Sequence, residues 1–226
     1  RVSQLSHHMQ DINKVYDQEL FEYIKGTAKV IGKNQVEVVG KDETLLLETD
    51  YIILATGSRP RKSANLPIDE ETVFTSDGLG SMTQFPKSIV IMGAGVIGCE
   101  FATIFAGFGN TKVHLIDKGD RILPFEDEDV VKVVENSLEK MGVLIHRNSQ
   151  LVEMKVINKA VQYSLKYNDG REEVFEVEKA LISVGRIPNY ENLIDTSVGV
   201  DLDNRGIIDK LTQTSVSNIY AVGDIT

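Results

Sequence analysis

Cysteine is nearly absent from this chain, whose 226 residues include one cysteine and four histidines. The single cysteine, Cys99, excludes an intrachain disulfide and an internal dithiol, and it is typical of a reducing compartment. The spacing of the histidines matches neither a metal cluster nor a nucleophile–base pair. The sequence therefore excludes a disulfide-stapled domain and does not support a metal site.

Long apolar runs and runs of positive charge are also missing. The longest apolar stretch, around residues 89–99, is about half of a membrane span and is interrupted by glycines, and no signal-peptide pattern is present at the start of the sequence. The formal net charge of -10 argues against nucleic-acid and anionic-membrane surfaces. We therefore predict a cytoplasmic or organelle-matrix protein, the cytoplasm being the leading expectation, with no nucleic-acid or membrane partner.

What the chain does contain is a glycine-rich turn between an apolar strand and a helix. The pattern Gly93-x-Gly95-x-x-Gly98 follows the apolar run 89–92 and opens an amphipathic stretch that stops at Gly109. In a dinucleotide site the first glycine permits a tight turn, the second lets the backbone approach the pyrophosphate, and the third lets helix and strand pack closely. The helix N-terminus then faces the anion. A lone glycine pattern is weak evidence, so the surrounding sequence has to decide whether this turn binds a dinucleotide.

An acidic residue at the end of the next strand favours the same function. Asp117 ends an apolar run nineteen residues after Gly98, close to the ~20 expected of a dinucleotide fold. Its carboxylate suits a ribose 2′-hydroxyl and would repel a 2′-phosphate by about 4 kcal/mol per unit charge at ~4 Å in an intermediate dielectric. Lys118 and Arg121 could offset part of this repulsion, although we interpret both as solvated surface charges. The sequence therefore predicts NAD rather than NADP.

The order of elements indicates an α/β protein. The predicted elements are a helix over 3–20; strands over 21–25, 28–31, 35–39, 44–48 and 51–55; a polar linker over 59–67; a strand–helix–strand unit over 87–119; a helix over 126–141; and strands over 143–146, 151–157, 160–167, 172–177 and 179–184.

Three further motifs bracket the glycine-rich turn. They are Ala55-Thr-Gly-Ser-Arg-Pro60, Val184-Gly-Arg-Ile-Pro188 and Tyr220-Ala-Val-Gly-Asp224. With the turn between them, the four motifs in this order resemble the flavin-dependent pyridine nucleotide-disulfide oxidoreductases over essentially the whole chain. Within that family, the pattern is most similar to dihydrolipoamide dehydrogenase, with the soluble pyridine nucleotide transhydrogenase as a near relation.

The resemblance implies a fold in which one nucleotide domain interrupts another. A Rossmann-like NAD-binding domain, made of a parallel sheet plus a β-meander, would be inserted into a partial FAD-binding domain. On this basis we expect residues 1–66 and 188–226 to form the FAD-binding part and residues 67–187 to form the NAD-binding domain.

The resemblance also implies which residues lie against the two cofactors. For NAD they are Gly93, Ala94, Gly95, Val96, Ile97, Gly98, Cys99, Glu100, Asp117, Leu151 and Gly185. For FAD they are Ala28, Thr56, Gly57, Ser58 and Asp224. Within the first set, Glu100 matches the carboxylate near the nicotinamide end, or else it is a helix N-terminal acid that interacts with the dipole. Cys99 has either a thiol activated by the helix dipole or, more commonly for such a residue, a small packed side chain.

The reaction implied by the resemblance passes electrons from a dithiol, through an enzyme disulfide and FAD, to NAD. The FAD pyrophosphate loop, the redox cysteine pair and the C-terminal dimerisation domain of the family are not among these 226 residues. We therefore expect an inert piece of a longer, homodimeric enzyme and assign no catalytic residue. Two alternatives remain open: a transhydrogenase, in which flavin relays hydride between two nicotinamide nucleotides, and a non-catalytic dinucleotide-binding module.

Overall fold

A computed structural model describes residues 22–203 and 206–226. These residues form two compact units, one made of the chain up to Arg59 together with Ile187–Thr226, the other of Pro60–Arg186. The predicted helix over 3–20 lies outside the described residues. The predicted boundaries between the FAD-binding part and the NAD-binding domain lie after residue 66 and after residue 187. The assignment of the two cofactors to these domains stays a prediction.

The described residues form fifteen strands and two α-helices. The strands are β1 (Thr27–Gly32), β2 (Gln35–Val39), β3 (Thr44–Glu48), β4 (Ile52–Leu54), β5 (Ser58–Pro60), β6 (Val73–Thr75), β7 (Ser88–Met92), β8 (Lys112–Ile116), β9 (Leu144–His146), β10 (Ser149–Ile157), β11 (Ala160–Tyr167), β12 (Glu172–Val177), β13 (Lys179–Ile182), β14 (Arg186–Pro188) and β15 (Ile219–Ala221); the helices are α1 (Val96–Phe108) and α2 (Glu128–Lys140). Neither helix is both long and apolar enough to cross a membrane.

A five-stranded parallel sheet organises the unit Pro60–Arg186. Its strand order is β6-β13-β7-β8-β9, and the antiparallel meander β10-β11-β12 forms a second sheet. Ile89 and Ile91 belong to a core shared with α1 and α2. Val90, between them, belongs to a core shared with the meander. Because successive side chains of a strand point to opposite faces, the helices cover one face of the sheet and the meander covers the other.

Local signals account for the two helices. α1 begins directly after Gly95, with no side-chain cap. The Asp127 carboxylate caps α2 by accepting from the backbone N–H groups of Asp129 and Val130, and Lys140 lies in its last turn, where a cation stabilises the helix dipole. Gly142 follows with φ +85°, the left-handed conformation common after a helix. The predicted helix over 126–141 is confirmed, with its start two residues later.

The interface between the parallel sheet and the meander contains a buried polar cluster. The rings of His114 and His146 stack with centroids 5.2 Å apart and an interplanar angle of 15°. His114 Nδ1 lies 3.1 Å from His146 Nε2 and 2.9 Å from the Tyr163 hydroxyl, and His146 Nδ1 lies 2.7 Å from the Tyr167 hydroxyl. That hydroxyl donates to Glu173 at 3.4 Å. The structural role predicted for His114 is thus confirmed, since its ring is buried among ring partners.

The other unit contains smaller sheets around a separate core. Strands β1, β2 and β3 form an antiparallel meander, and β4 pairs in parallel with β15. The buried residues of this core are Val30, Ile52, Leu54, Leu193, Val198, Ile207, Val216, Ile219, Ala221 and Ile225. The predicted strands over 28–31, 35–39, 44–48 and 51–55 are confirmed with small boundary shifts.

Several elements differ from the sequence-based prediction, among them the three-residue strands β14 and β15, which it did not contain. Residues 22–25 are not a strand, although 21–25 is rich in strand-forming residues, and no strand partner is described for them. The predicted linker over 59–67 begins inside β5, which pairs with β14 where the chain changes unit. β6 was not predicted, because a three-residue run has too little length to show periodicity.

Candidate dinucleotide site

The glycine-rich turn between β7 and α1 is built from three glycines with different surroundings. Gly93 has φ +96°, and a Cβ there would collide with the carbonyl oxygen of Ser183. A Cβ at Gly98 would overlap the carbonyl oxygen of Gly93. At Gly95 a Cβ would meet no described protein atom within 4 Å. The first and third positions therefore need glycine for the fold itself, whereas the second faces open space.

The N-terminus of α1 opens onto the same space. Its first α-helical hydrogen bond runs from Cys99 N to Gly95 O at 3.0 Å. The backbone N–H groups of Val96, Ile97 and Gly98 precede that bond and have no acceptor within the helix. Val96 is exposed and Ile97 is half-buried. Together with the positive end of the helix dipole, these N–H groups form a surface suited to an anion.

Asp117 follows β8 and contacts the glycine-rich turn directly. Its Oδ2 accepts from the backbone N–H of Ala94 at 2.8 Å, and its Oδ1 accepts from the N–H of Gly119 at 2.8 Å. The residue is half-buried. A carboxylate has about four acceptor positions, so two further bonds to a ligand are available to it.

The loop after β8 holds the glycine-rich turn from the other side. Leu123, which has φ +47°, donates its N–H to the carbonyl oxygen of Ala94 at 2.8 Å. Arg121 is half-buried; its Nη2 donates to the carbonyl oxygen of Pro124 at 2.7 Å, and its Nη1 lies 3.9 Å from Glu128. The prediction of Arg121 as a solvated surface charge is therefore wrong, because part of its guanidinium packs against its own loop.

Residues of two of the other motifs contact each other and Asn189 within the unit formed by the chain up to Arg59 and Ile187–Thr226. Ser58 donates to Asp224 at 2.9 Å. Thr56 donates its hydroxyl to the carbonyl oxygen of Asn189 at 2.8 Å, and Asn189 Nδ2 donates to the carbonyl oxygen of Thr56 at 2.9 Å. Gly57, between them, has φ +62°. Hydrogen bonds therefore join the Ala55–Pro60 motif to Asp224 and to Asn189, which directly follows the Val184–Pro188 motif.

A family model for pyridine nucleotide-disulphide oxidoreductases matches residues 3–226. The chain belongs to this family. FAD and NAD(P) are the cofactors of pyridine nucleotide-disulphide oxidoreductases, which agrees with the resemblance seen in the motifs.

Individual relatives carry two different enzyme names. The dihydrolipoyl dehydrogenase of Bacillus subtilis is 32% identical over 224 residues, which cover 99% of this chain and 47% of the relative. The soluble pyridine nucleotide transhydrogenase of Yersinia pestis is 33% identical over 213 residues, which cover 93% of this chain and 45% of the relative. The chain thus spans about half the length of the curated relatives it matches.

Solved structures of family members share the fold. The HOCl-induced flavoprotein disulfide reductase RclA of Escherichia coli is 28% identical with a TM-score of 0.77, over 91% of this chain and 46% of that one. LpdA of Mycobacterium tuberculosis is also 28% identical, with a TM-score of 0.78, over 90% of this chain and 45% of that one. The predicted α/β fold is therefore confirmed.

Cys99 and Glu100 lie side by side in α1 but differ in their surroundings. Cys99 is buried, and burial, with the negative charges of Asp117 and Glu135, raises the pKa of its thiol to about 12. The thiol therefore stays protonated, and the packed interpretation of Cys99 is confirmed over the reactive one. Glu100 is exposed on the helix.

The remaining predicted residues occupy separate places in the two units. Leu151 is half-buried on β10 and packs on the core between sheet and meander. Gly185 has φ +109°, and its carbonyl oxygen accepts from the N–H of Arg61 at 2.9 Å. Ala28 is exposed on β1. Their predicted contacts with the cofactors stay predictions.

Sequence reasoning missed two residues that hold the motifs in place. Asn189 directly follows the Val184–Pro188 motif and binds the Thr56–Gly57 segment through its side chain and its backbone, the N–H donating to the carbonyl oxygen of Gly57 at 2.9 Å. Ser183 directly precedes the same motif and contacts Gly93. Extending that motif by one residue at each end would have found both.

Proposed function

We propose that this chain is the nucleotide-binding portion of an FAD-dependent oxidoreductase that transfers electrons from a dithiol of the dihydrolipoamide type, through a disulfide and FAD, to NAD. The observations that carry the proposal are the open space at Gly95, at the start of α1, and the Asp117 carboxylate, which accepts from the N–H of the adjacent Ala94. In this proposal Pro60–Arg186 is the NAD-binding domain, and the other unit is the partial FAD-binding domain.

The residues around the turn fit the groups of NAD one by one. The N–H groups of Val96 and Ile97 would hold the pyrophosphate, because they lack acceptors and lie at the positive end of the helix. Asp117 would accept from the adenosine ribose hydroxyls with the acceptor positions that Ala94 and Gly119 leave open. NAD, when bound, supplies the hydride acceptor of the reaction.

The remaining parts of the proposal concern the longer enzyme. Ser58 and Asp224 would contact FAD, since a carboxylate bound to a hydroxyl makes a charge-assisted hydrogen bond. The redox disulfide and the dimer interface of a homodimeric parent would come from other segments, so this chain alone is expected to be catalytically inert. The single cysteine agrees with a cytoplasmic location.

The proposed site predicts that this chain binds NADH more tightly than NADPH. A 2′-phosphate beside the Asp117 carboxylate would be repelled, whereas a 2′-hydroxyl donates to it. We expect the Kd for NADPH to exceed that for NADH by at least about tenfold, the equivalent of roughly 1.4 kcal/mol. Fluorescence titration of the two reduced nucleotides measures this ratio. Equal Kd values would contradict the NAD assignment.

Asp117→Ala is expected to lower the ratio of the Kd for NADPH to the Kd for NADH by about tenfold. The reason is that a hydrogen bond to a charged group contributes roughly 1.5–3 kcal/mol. Most of the change should be a rise in the Kd for NADH. Asp120→Ala is the matched control, because Asp120 is an exposed carboxylate three residues away and its loss changes the net charge equally. A ratio unchanged by Asp117→Ala would mean that the ribose is bound elsewhere.

A transhydrogenase is the second candidate function, favoured by the 33% identity to the Yersinia pestis enzyme over 93% of this chain. The two candidates differ in their electron donor. The longer protein that contains this chain should reduce NAD with dihydrolipoamide if the first candidate is right. It should instead transfer hydride from NADPH to NAD without any dithiol if the second is right.

A further inference from the structure

Ser183 lies where β13 ends beside β7 in the parallel sheet. Its backbone N–H donates to the carbonyl oxygen of Met92 at 2.8 Å. Its hydroxyl makes additional contacts, lying 2.8 Å from the same oxygen and 3.0 Å from the carbonyl oxygen of Gly93. Because the backbone bond already joins the two chain segments, the hydroxyl contacts are not needed for strand pairing.

The Gly93–Ala94 peptide group is held at both of its polar ends. Its carbonyl oxygen contacts the Ser183 hydroxyl, and its N–H donates to Oδ2 of Asp117 at 2.8 Å. A peptide group is planar and turns as one rigid piece. If the Gly93 carbonyl oxygen moves, the Ala94 N–H therefore moves too. The Asp117 carboxylate, which accepts from that N–H, then moves with it.

The Gly93–Ala94 peptide contacts both Ser183 and Asp117, whereas the neighbouring contacts of Asp117 and Ala94 do not involve Ser183. Asp117 Oδ1 is held independently by the N–H of Gly119 at 2.8 Å. The next carbonyl oxygen, that of Ala94, is held independently by the N–H of Leu123. Loss of the Ser183 hydroxyl would thus leave the loop in place and remove one of the restraints on this peptide plane, the packing of its oxygen against Gly98 being another.

We propose that Ser183 is a positioning residue for nucleotide selection: its hydroxyl orients the Gly93–Ala94 peptide and thereby sets the Asp117 carboxylate toward the ribose. The inference rests on the proposed function, because it assigns the carboxylate to the adenosine ribose of a dinucleotide. Ser183 is not proposed to touch the nucleotide itself; its effect reaches Asp117 through the Gly93–Ala94 peptide.

The first test needs no nucleotide. In an ¹H–¹⁵N spectrum of the full chain, Ser183→Ala should shift the Ala94 amide resonance upfield, because a hydrogen bond to a carboxylate deshields the proton. Ser164→Ala is the matched control, since Ser164 is a half-buried serine on β11 in the separate antiparallel sheet. An unmoved Ala94 resonance in Ser183→Ala would overturn the proposal.

The second test measures the Kd values for NADH and NADPH. Ser183→Ala should raise the Kd for NADH by about fivefold, which corresponds to a typical hydrogen-bond contribution of roughly 1 kcal/mol, and should lower the NADPH-to-NADH Kd ratio by a similar factor. In an Asp117→Ala background, the same change should alter that ratio by less than about twofold, because coupled residues are non-additive.

The outcomes separate the inference from the proposed function. If Ser183→Ala weakens both nucleotides equally, the hydroxyl only supports the loop and the inference is wrong while the dinucleotide site stands. If its effect on the ratio persists without Asp117, the inference is also wrong. If the unmodified chain binds neither nucleotide, the proposed function fails and the inference fails with it. Thermal denaturation of each variant verifies that it is folded.

Discussion

Gly95→Ala is expected to weaken dinucleotide binding by roughly 30- to 150-fold, the equivalent of about 2–3 kcal/mol for inserting a methyl group into an occupied contact. The added Cβ would enter the space where the backbone has to approach the pyrophosphate. The Tm of the free protein should not change, because Gly95 has φ −75° and ψ −171°, a conformation open to any residue. Nucleotide titration and thermal denaturation of the same sample test both parts.

Two other glycines of α1 provide matched controls for Gly95→Ala. Gly107→Ala adds the same methyl group at an exposed position with no described atom within 4 Å, and it should leave binding unchanged while stabilising the helix by roughly 0.5–1 kcal/mol. Gly98→Ala should lower the Tm, because its Cβ would overlap the Gly93 carbonyl oxygen. Binding by Gly95→Ala at the level of the unmodified chain would place the ligand elsewhere.

Acid is expected to destabilise the fold through the stacked histidine pair. Burial lowers the pKa of His114 to about 4, and repulsion from His146 and Lys112 acts in the same direction. Burial also lowers the pKa of His146, with the Glu173 charge opposing it and the Arg171 charge adding to it. The unfolded chain, with histidine pKa near 6.5, therefore binds protons that the folded chain does not. Stability is complete above about pH 6.5 and falls as the pH approaches 4.

The expected loss from His114 is about 2.5 kcal/mol in the free energy of unfolding between pH 7 and pH 4.5. Urea denaturation followed by circular dichroism at both pH values measures it. Carboxylates also titrate in this range, so the decisive quantity is the difference from His114→Gln, which has no imidazole to protonate. The variant should lose about 2.5 kcal/mol less than the unmodified chain over the same interval. Identical losses would mean that the histidine pair does not control acid stability.

The sequence was most informative where the determining contacts are local. The strand, turn and helix around Gly93 and Gly98 could be predicted because the apolar run, the glycines and the helical periodicity lie within a few residues of one another. The start of α2 was predicted two residues too early, since Asp127 and Glu126 are both acidic and only the backbone geometry distinguishes the cap from its neighbour.

The contacts that sequence reasoning missed join residues far apart in the chain. Ser183 and Gly93 are separated by 90 positions, and Asn189 and Thr56 by 133. Periodicity describes one segment at a time and contains no information on which carbonyl oxygen a distant hydroxyl will reach. The half-buried state of Arg121 was missed for a related reason, because a charged residue in a loop is most often solvated.

Strand β13 is the last strand of its sheet along the chain, yet it lies between β6 and β7 in the interior of that sheet. A growing polypeptide that ends before residue 179 already has the glycine motif and Asp117, but it lacks the strand that leads to Ser183. The turn can gain its final hydrogen bonds only after the meander has been synthesised and β13 has inserted between its neighbours. The contacts of Ser183 with the turn are therefore the last of this site to become possible during synthesis.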